Sequence, residues 1–533
     1  MREPIDVLRL YPPHAHTLNS LLESRASVAG AREFLVFGSS SVSYAEALDR
    51  VARTVALLAE KGVGAGDRVG VMSTNHPSTV FLFLALARLG AVMVGINPDY
   101  GIEEARYVLS HAEVCGVVCA PEALETVRAA CGSAASQPWL MLNEPGDPGV
   151  PVFAEVLFAA RPAVQPAPDD ANATCVFIYT SGTTGFPKGV MHNQRNVVMA
   201  GEGFVERMHL QPEDRLLCIL PMFHVNAICY SLAGALAAGA TLILEPRFSA
   251  SKFWQTVKQH GATEVNTIAA VTGILLRRPR SEYVPGHNLR KIYGAPFDEE
   301  TYVVFKQEFS VPTLIEGYGM SEIPGVLNNP YDGPHKIRSM GKPSLHPDPA
   351  VCFAEMRVVD ESGNPVADGQ TGELVVRTPI AMQGYFRDPE QTAAAFRDGW
   401  FLTGDLGWRD ADGYFWFIAR KKDIIRKRGE NISGAELDRV IGSHPDVINV
   451  AAIAVPSALG EDDILAVVVP RPEASLCAAD IALWCRERLA PIKVPRYVVF
   501  TDALPLTPTH RVAKFKLRDD HALIARAIDL EKK

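Results

Sequence analysis

The stretch Tyr179-Thr-Ser-Gly-Thr-Thr-Gly-Phe-Pro-Lys-Gly-Val190 decides how this chain reads. The apolar run Cys175-Val-Phe-Ile-Tyr179 in front of it has the texture of a buried strand. It gives way to four hydroxyl side chains, Thr180, Ser181, Thr183 and Thr184, to the glycines Gly182, Gly185 and Gly189, and to Lys188. Glycines let successive N–H groups converge on one point, hydroxyls add donors, and a lysine adds a mobile charge, which is what a polyphosphate requires. A solvated Ser/Thr/Gly loop has the same composition. The spacing is not G-x-x-x-x-G-K-[ST], because Lys188 is followed by Gly189, so the ordinary P-loop reading is weak.

Outward from the loop, strand and helix alternate. Ser43 and Glu46 form a capping box that opens a helix with apolar residues at Leu48, Val51, Val55 and Leu58. Strands are expected at 68–72, 91–96 and 115–119, with helices at 78–89 and 103–111 between them. Beyond the loop come strands at 216–220, 241–244, 264–268, 291–293 and 313–315, and helices at 251–260 and 299–309. This order predicts parallel sheets covered by helices. From about residue 346 the texture turns to antiparallel hairpins around Asp410-Ala-Asp-Gly413, as of a small β-barrel. After the basic run Arg420 to Arg428 an α+β pattern begins. The fold class expected is therefore α/β, with a large N-terminal domain at 1–419 (two α/β subdomains to about 345, a barrel-like part at 346–419) and a C-terminal α+β domain at 420–533.

Composition narrows the class. The chain has 533 residues, 47% hydrophobic and 21% charged, with a net charge of −9, so no basic face argues for nucleic acid. The first residues, MREPIDVLRLYPP, lack the apolar core of a signal peptide. Val225 to Leu244 carries no charge, but its Asn226, Ser231, Gly234 and Gly239 favour a buried helix and strand over a membrane span. Nine scattered cysteines read as reduced core thiols of a cytoplasmic protein.

Seven motifs in order carry a resemblance: the loop at 179–190, PMFHVNA at 221–227, YGAPF at 293–297, GYGMSE at 317–322, TGD at 403–405, RKKDIIRKRGENI at 420–432 and PLTPTHRVAKFKLR at 505–518. Along its whole length the chain resembles the adenylate-forming superfamily of acyl-CoA synthetases, luciferases and nonribosomal-peptide adenylation domains. The resemblance implies a carboxylate attacking the α-phosphate of Mg·ATP to give an acyl-adenylate and pyrophosphate. A thiol, that of coenzyme A, then displaces AMP. A carboxylate needs no general base, so the protein's task is alignment and charge stabilisation.

The same resemblance assigns roles. Thr180, Ser181, Gly182, Thr183, Thr184, Gly185 and Lys188 would hold the phosphates, and Glu322 the Mg²⁺, an ion that takes hard oxygen ligands. Tyr318 would stack on adenine within Tyr318-Gly319-Met320-Ser321, opposite Gly294, Ala295 and Pro296. Asp405 would accept from both ribose hydroxyls, assisted by Arg420. His224 would stand at the mouth of an acyl pocket walled by Val225, Asn226, Thr267, Gly317 and Ile323. These small, apolar walls suggest an apolar or bulky acid. The C-terminal domain would swing about Lys422, with Lys427, Arg428 and Gly429 meeting the phosphates of coenzyme A.

One departure stands out. Relatives place a lysine in Thr-Gly-Lys near the end, whereas this chain has Thr509-His510-Arg511, with Lys514 three residues on. Adenylation would then use Arg511 or Lys514, which are not equivalent donors. With no carrier sequence after residue 518, coenzyme A is the expected acceptor. The alternatives are an acyl-AMP ligase loading a separate carrier protein, adenylate-dependent oxygenation, and a catalytically silent binder.

Overall fold

The computed structural model describes residues 1–132, 137–159, 170–180, 187–427, 430–457, 461–506 and 512–532. These form two compact units, one of residues 1–356 with 376–401, the other of 357–375 with 402–533.

The first unit is built on two large sheets. One has seven strands in the order Gly384–Tyr385, Lys188–Asn193, Thr174–Thr180, Val92–Ile96, Arg68–Met72, Gly116–Cys119 and Trp139–Leu142. Its five last-named strands run parallel to one another, and the strands on either side of the glycine-rich loop pair antiparallel. The other sheet has nine strands, with Arg215–Cys218, Thr241–Leu244, Glu264–Asn266, Lys291–Gly294 and Thr313–Tyr318 in its parallel centre.

The expected elements form for the expected reasons. Ser43 Oγ accepts from the Glu46 N–H at 3.2 Å and Glu46 Oε2 from the Ser43 N–H at 2.7 Å, opening the helix Tyr44–Glu60 with Val51, Val55 and Leu58 inside. The helix Pro77–Leu89 is apolar nearly all round because it is buried nearly all round, from Ser78 to Ala87. Each of its Phe and Leu side chains contributes about 1.5–3 kcal/mol by leaving water. The charge-free stretch after Val225 folds as a π-helical turn Ala227–Leu232, a helix Ala233–Ala238 ended by Gly239 at φ +68°, and the strand Thr241–Leu244. Among the described residues no helix is long and apolar enough to cross a membrane. All nine cysteines are free; six are buried and Cys115 partly so, while Cys352 and Cys477 are exposed rather than in the core.

The hairpins expected after residue 346 are present. A five-stranded sheet contains Glu355–Val359, Gly372–Arg377, Trp400–Arg409, Phe396–Arg397 and Phe415–Arg420, and the chain passes between units within it. In the second unit, strands Val447–Pro456, Asp462–Pro470, Tyr497–Phe500 and Ile528–Asp529 make a four-stranded sheet, joined by the helices Gly434–Gly442 and Ala478–Arg486. The expected boundary at 419/420 falls inside this unit, within the strand Phe415–Arg420 and one residue before the 3₁₀ turn Lys421–Asp423.

Candidate active site

Thr180 and Lys188 are register partners at the open end of one antiparallel ladder. Ser181, Gly182, Thr183, Thr184 and Gly185, between them, lie outside the described residues. Lys188 Nζ donates to Gln391 Oε1 at 2.8 Å and stands 4.9 Å from the centroid of the Tyr385 ring. The Tyr385 hydroxyl in turn donates to Glu322 Oε1 at 2.9 Å. Lysine and carboxylate from motifs more than a hundred residues apart thus share one phenol. Neither Tyr385 nor Gln391 belongs to a motif, and nothing local in the sequence marks them.

Glu322 is 8% exposed, and its backbone carbonyl accepts from the Met382 N–H at 2.8 Å. One residue earlier, the Ser321 carbonyl accepts from His192 Nε2 at 2.6 Å. His192 is fully buried, which depresses its pKa to about 4 and leaves the ring neutral with its proton on Nε2. The intervening turn is closed by reciprocal bonds of 3.2 Å between Met320 and Ile323, and Gly319 has no room for a side chain against Gly325. The Val326 N–H donates to the Tyr318 carbonyl at 2.9 Å, and Tyr318 is half-buried at the end of its strand.

The segment Gly294-Ala295-Pro296 leaves the neighbouring strand, with a cis Ala295–Pro296 bond. A Cβ on Gly294 would lie 2.6 Å from Thr267 Oγ1 and 2.8 Å from the Phe297 ring, so any side chain here would force its neighbours to shift. Glu316 fixes the far side of the turn. Its Oε1 accepts from the Phe297 N–H at 2.9 Å, and its Oε2 from the Tyr302 hydroxyl at 3.1 Å and the Arg338 N–H at 3.2 Å. Burial raises its pKa to about 7, against the pull of these donors. Glu316 precedes the GYGMSE motif directly, so proximity was the one signal that could have found it.

The pocket candidates lie in the same unit. The His224 N–H donates to the Pro221 carbonyl at 3.0 Å, and the ring lies 4.5 Å from that of Phe223. Val225 follows, and Asn226 Oδ1 is buried without a hydrogen-bond partner among the described residues. The Thr267 N–H donates to the Tyr293 carbonyl at 2.8 Å, and a methyl group on Gly317 would overlap the Tyr293 hydroxyl.

In the second unit, Asp405 is 1% exposed and pairs with Arg420, its neighbour across the ladder, at 3.0 Å between Oδ1 and Nε. The Asp405 N–H donates to Thr403 Oγ1 at 3.0 Å, and the Gly404 N–H to Glu373 Oε1 at 3.2 Å. Lys421 closes the group on Glu373 Oε2 at 3.0 Å. Lys422 lies in the 3₁₀ turn that follows.

Lys427 is 6% exposed and faces Asp463 at 3.5 Å, rather than standing in solvent. Arg428, Gly429 and Arg511 lie outside the described residues. Lys514 Nζ is held by Asp438 Oδ2 at 2.5 Å and by the Ala452 carbonyl at 3.0 Å, against Gly434.

The sequence pattern of AMP-binding enzymes matches residues 22–386, and that of the AMP-binding enzyme C-terminal domain matches residues 436–511. A sulfoacetate–CoA ligase of Cupriavidus necator is 35% identical over 462 residues, 86% of this chain and 88% of its own. A feruloyl-CoA synthase of an Amycolatopsis species is 33% identical, covering 90% of this chain and 94% of its own. Among solved structures, ATP-bound MatB from Rhodopseudomonas palustris superposes with a TM-score of 0.83 at 28% identity, over 96% of this chain and 99% of that one. The chain belongs to the AMP-binding enzymes and, within that family, to the acyl-CoA synthetases, as an ATP-dependent carboxylate–CoA ligase.

Proposed function

We propose that the enzyme joins a carboxylic acid to AMP with release of pyrophosphate, then passes the acyl group to the thiol of coenzyme A, in the cytoplasm. The observation that supports this best is the meeting of Lys188 and Glu322 on Tyr385. It sets a phosphate-binding cation and a hard oxygen donor on either side of one phenol. Thr180 to Lys188 hold the β- and γ-phosphates and so carry the leaving group. Glu322 fits a Mg²⁺ ligand: its carboxylate is sheltered, and Tyr385 orients one oxygen. Bound there, the ion would neutralise charge on the phosphates. Tyr318 and the Gly294–Pro296 turn take the adenine, and Glu316 and His192 brace these two segments from behind.

Asp405 accepts from the ribose hydroxyls, and Arg420 holds its carboxylate in place. His224 gates the pocket. For the adenylation cation we favour Arg511 over Lys514, whose ammonium is already engaged by Asp438. Lys422 serves as the hinge for residues 420–533. Arg428 and Gly429 meet the coenzyme A phosphates, while Lys427 is paired with Asp463.

Mass spectrometry after incubation with Mg·ATP, coenzyme A and pooled aliphatic, aromatic and dianionic acids tests the reading. Acyl-CoA is the expected product. Acyl-AMP without thioester would redirect the second step to a carrier protein, and neither product from ATP-binding protein would overturn catalysis altogether.

A further inference from the structure

Among the described residues of the first unit, two arginines are almost wholly buried, and in one of them every guanidinium nitrogen has a partner. Arg25, 1% exposed, spends its guanidinium on the Leu236 carbonyl at 3.1 Å, the Ala237 carbonyl at 2.7 Å and Ser24 Oγ at 3.2 Å. These carbonyls end a helix, where a cation belongs. Arg207, 2% exposed in the last turn of the helix Gln194–Met208, donates Nη2 to the Gly325 carbonyl and reaches Asn328 Oδ1 only at 3.4 Å. Its Nη1 is buried with no hydrogen-bond partner among the described residues, and the guanidinium also interacts with the Tyr293 hydroxyl, a group that burial keeps neutral.

The guanidinium instead sits among the rings of Phe204, Tyr230 and Tyr293, 5.7, 5.3 and 5.1 Å from their centroids. Ring quadrupoles offset part of the cost of burying a cation. They leave an unpaired donor on a buried charge, an unfavourable arrangement unless an anion completes it.

The surroundings say where that anion would come from. Tyr293 is hydrogen-bonded through its carbonyl to Thr267, and its hydroxyl fills the space beside Gly317. Tyr230 lies in the turn that follows His224, Val225 and Asn226, and Gly325 is two residues beyond Ile323. Two neighbours of the wall segments, Tyr230 and Tyr293, thus flank the guanidinium, and a third, Gly325, accepts a hydrogen bond from it. Building on the ligase reading, we infer that Arg207 and Tyr293 form the floor of that pocket, and that the enzyme takes a short carboxylic acid bearing a second anionic group at its far end. The reacting carboxylate faces the phosphates; the distal anion meets Nη1. This differs from the apolar or bulky acid suggested by the wall residues alone, because Arg207 comes from a helix outside every motif.

Pyrophosphate release tests the inference, with sulfoacetate and succinate set against butyrate, pentanoate and ferulate, for the wild type and for Arg207→Met and Arg207→Lys. The wild type should prefer the anionic-tailed acids by about 100-fold or more in kcat/KM, as a site built to bond a polar group rejects a ligand lacking it. Arg207→Met should abolish that preference while still turning over butyrate, and Arg207→Lys should restore part of it. A wild type that favours butyrate or ferulate would overturn the inference and leave the ligase reading standing, even if the variants fail to fold. So would an unchanged preference in Arg207→Met. Absence of pyrophosphate with every acid would overturn the ligase reading itself, and this inference with it.

Discussion

The charged residues of the first unit's motifs and those of the second unit are buried to similar degrees but occupied differently. Glu322 and Lys188 lean on a neutral phenol and a neutral amide, which orient them without cancelling their charges. Lys427 and Lys514 face carboxylates of their own unit, Asp463 and Asp438. A side chain held by a neutral partner keeps its charge for a ligand, whereas one paired with a counter-ion has much of it already answered. Basic residues in a motif are thus not all available to substrate, and the two groups should fail differently when altered.

The largest effect is expected at Glu322. Glu322→Gln should slow acyl-adenylate formation by about 100- to 1,000-fold, the range for losing one group that stabilises transition-state charge, with little change in the melting temperature. A fall in stability with activity preserved would make Glu322 structural and erase the contrast.

Next comes Glu316, whose folded pKa of about 7 stands above the ordinary 4.5. A carboxyl raised on folding contributes stability that is full below pH 4.5 and is lost as pH climbs through 7. Urea midpoints of the wild type should therefore drop over that window, by about 3 kcal/mol at most, while Glu316→Gln should lack this component. Parallel pH profiles would place the carboxyl at its ordinary pKa.

Lys514→Ala tests the other side. It should cost about 2 kcal/mol of stability by leaving Asp438 and the Ala452 carbonyl without their partner, yet leave adenylation per folded molecule within about threefold. Lost adenylation in a protein of unchanged stability would return Lys514 to the chemistry. The smallest effect belongs to Tyr385→Phe, which removes one hydrogen bond to Glu322 and should raise KM for ATP by about tenfold, on the order of 1 kcal/mol. A fall in kcat at constant KM would instead mean that the phenol acts during the chemical step.

Much of this was legible in the chain. Period and capping located the helices and parallel strands of the first unit, since apolar residues recur wherever an element must bury one face, and the Ser43 box acts within four residues. Motif spacing singled out Glu322, Asp405 and the turn Gly294–Pro296 as candidates. What stayed hidden depends on folding distant segments together. Tyr385 meets Glu322 only because the strand Gly384–Tyr385 joins the edge of the seven-stranded sheet. The counter-ions of Lys427 and Lys514 lie 36 and 76 residues away in sequence and face them only once the four-stranded sheet is assembled. Arg207 reads in sequence as an ordinary basic residue closing a helix, and its burial among three rings comes from packing alone.

The packing around Gly317 constrains how this part of the chain can be remodelled by mutation. A side chain added there would overlap the Tyr293 hydroxyl, which a change at Tyr293 would remove, and would also lie 2.8 Å from the Leu327 carbonyl, which no side-chain change removes. Shortening Tyr293 therefore opens space without freeing position 317. A lineage or a laboratory selection changing its acid could move at Tyr293 while position 317 stays glycine.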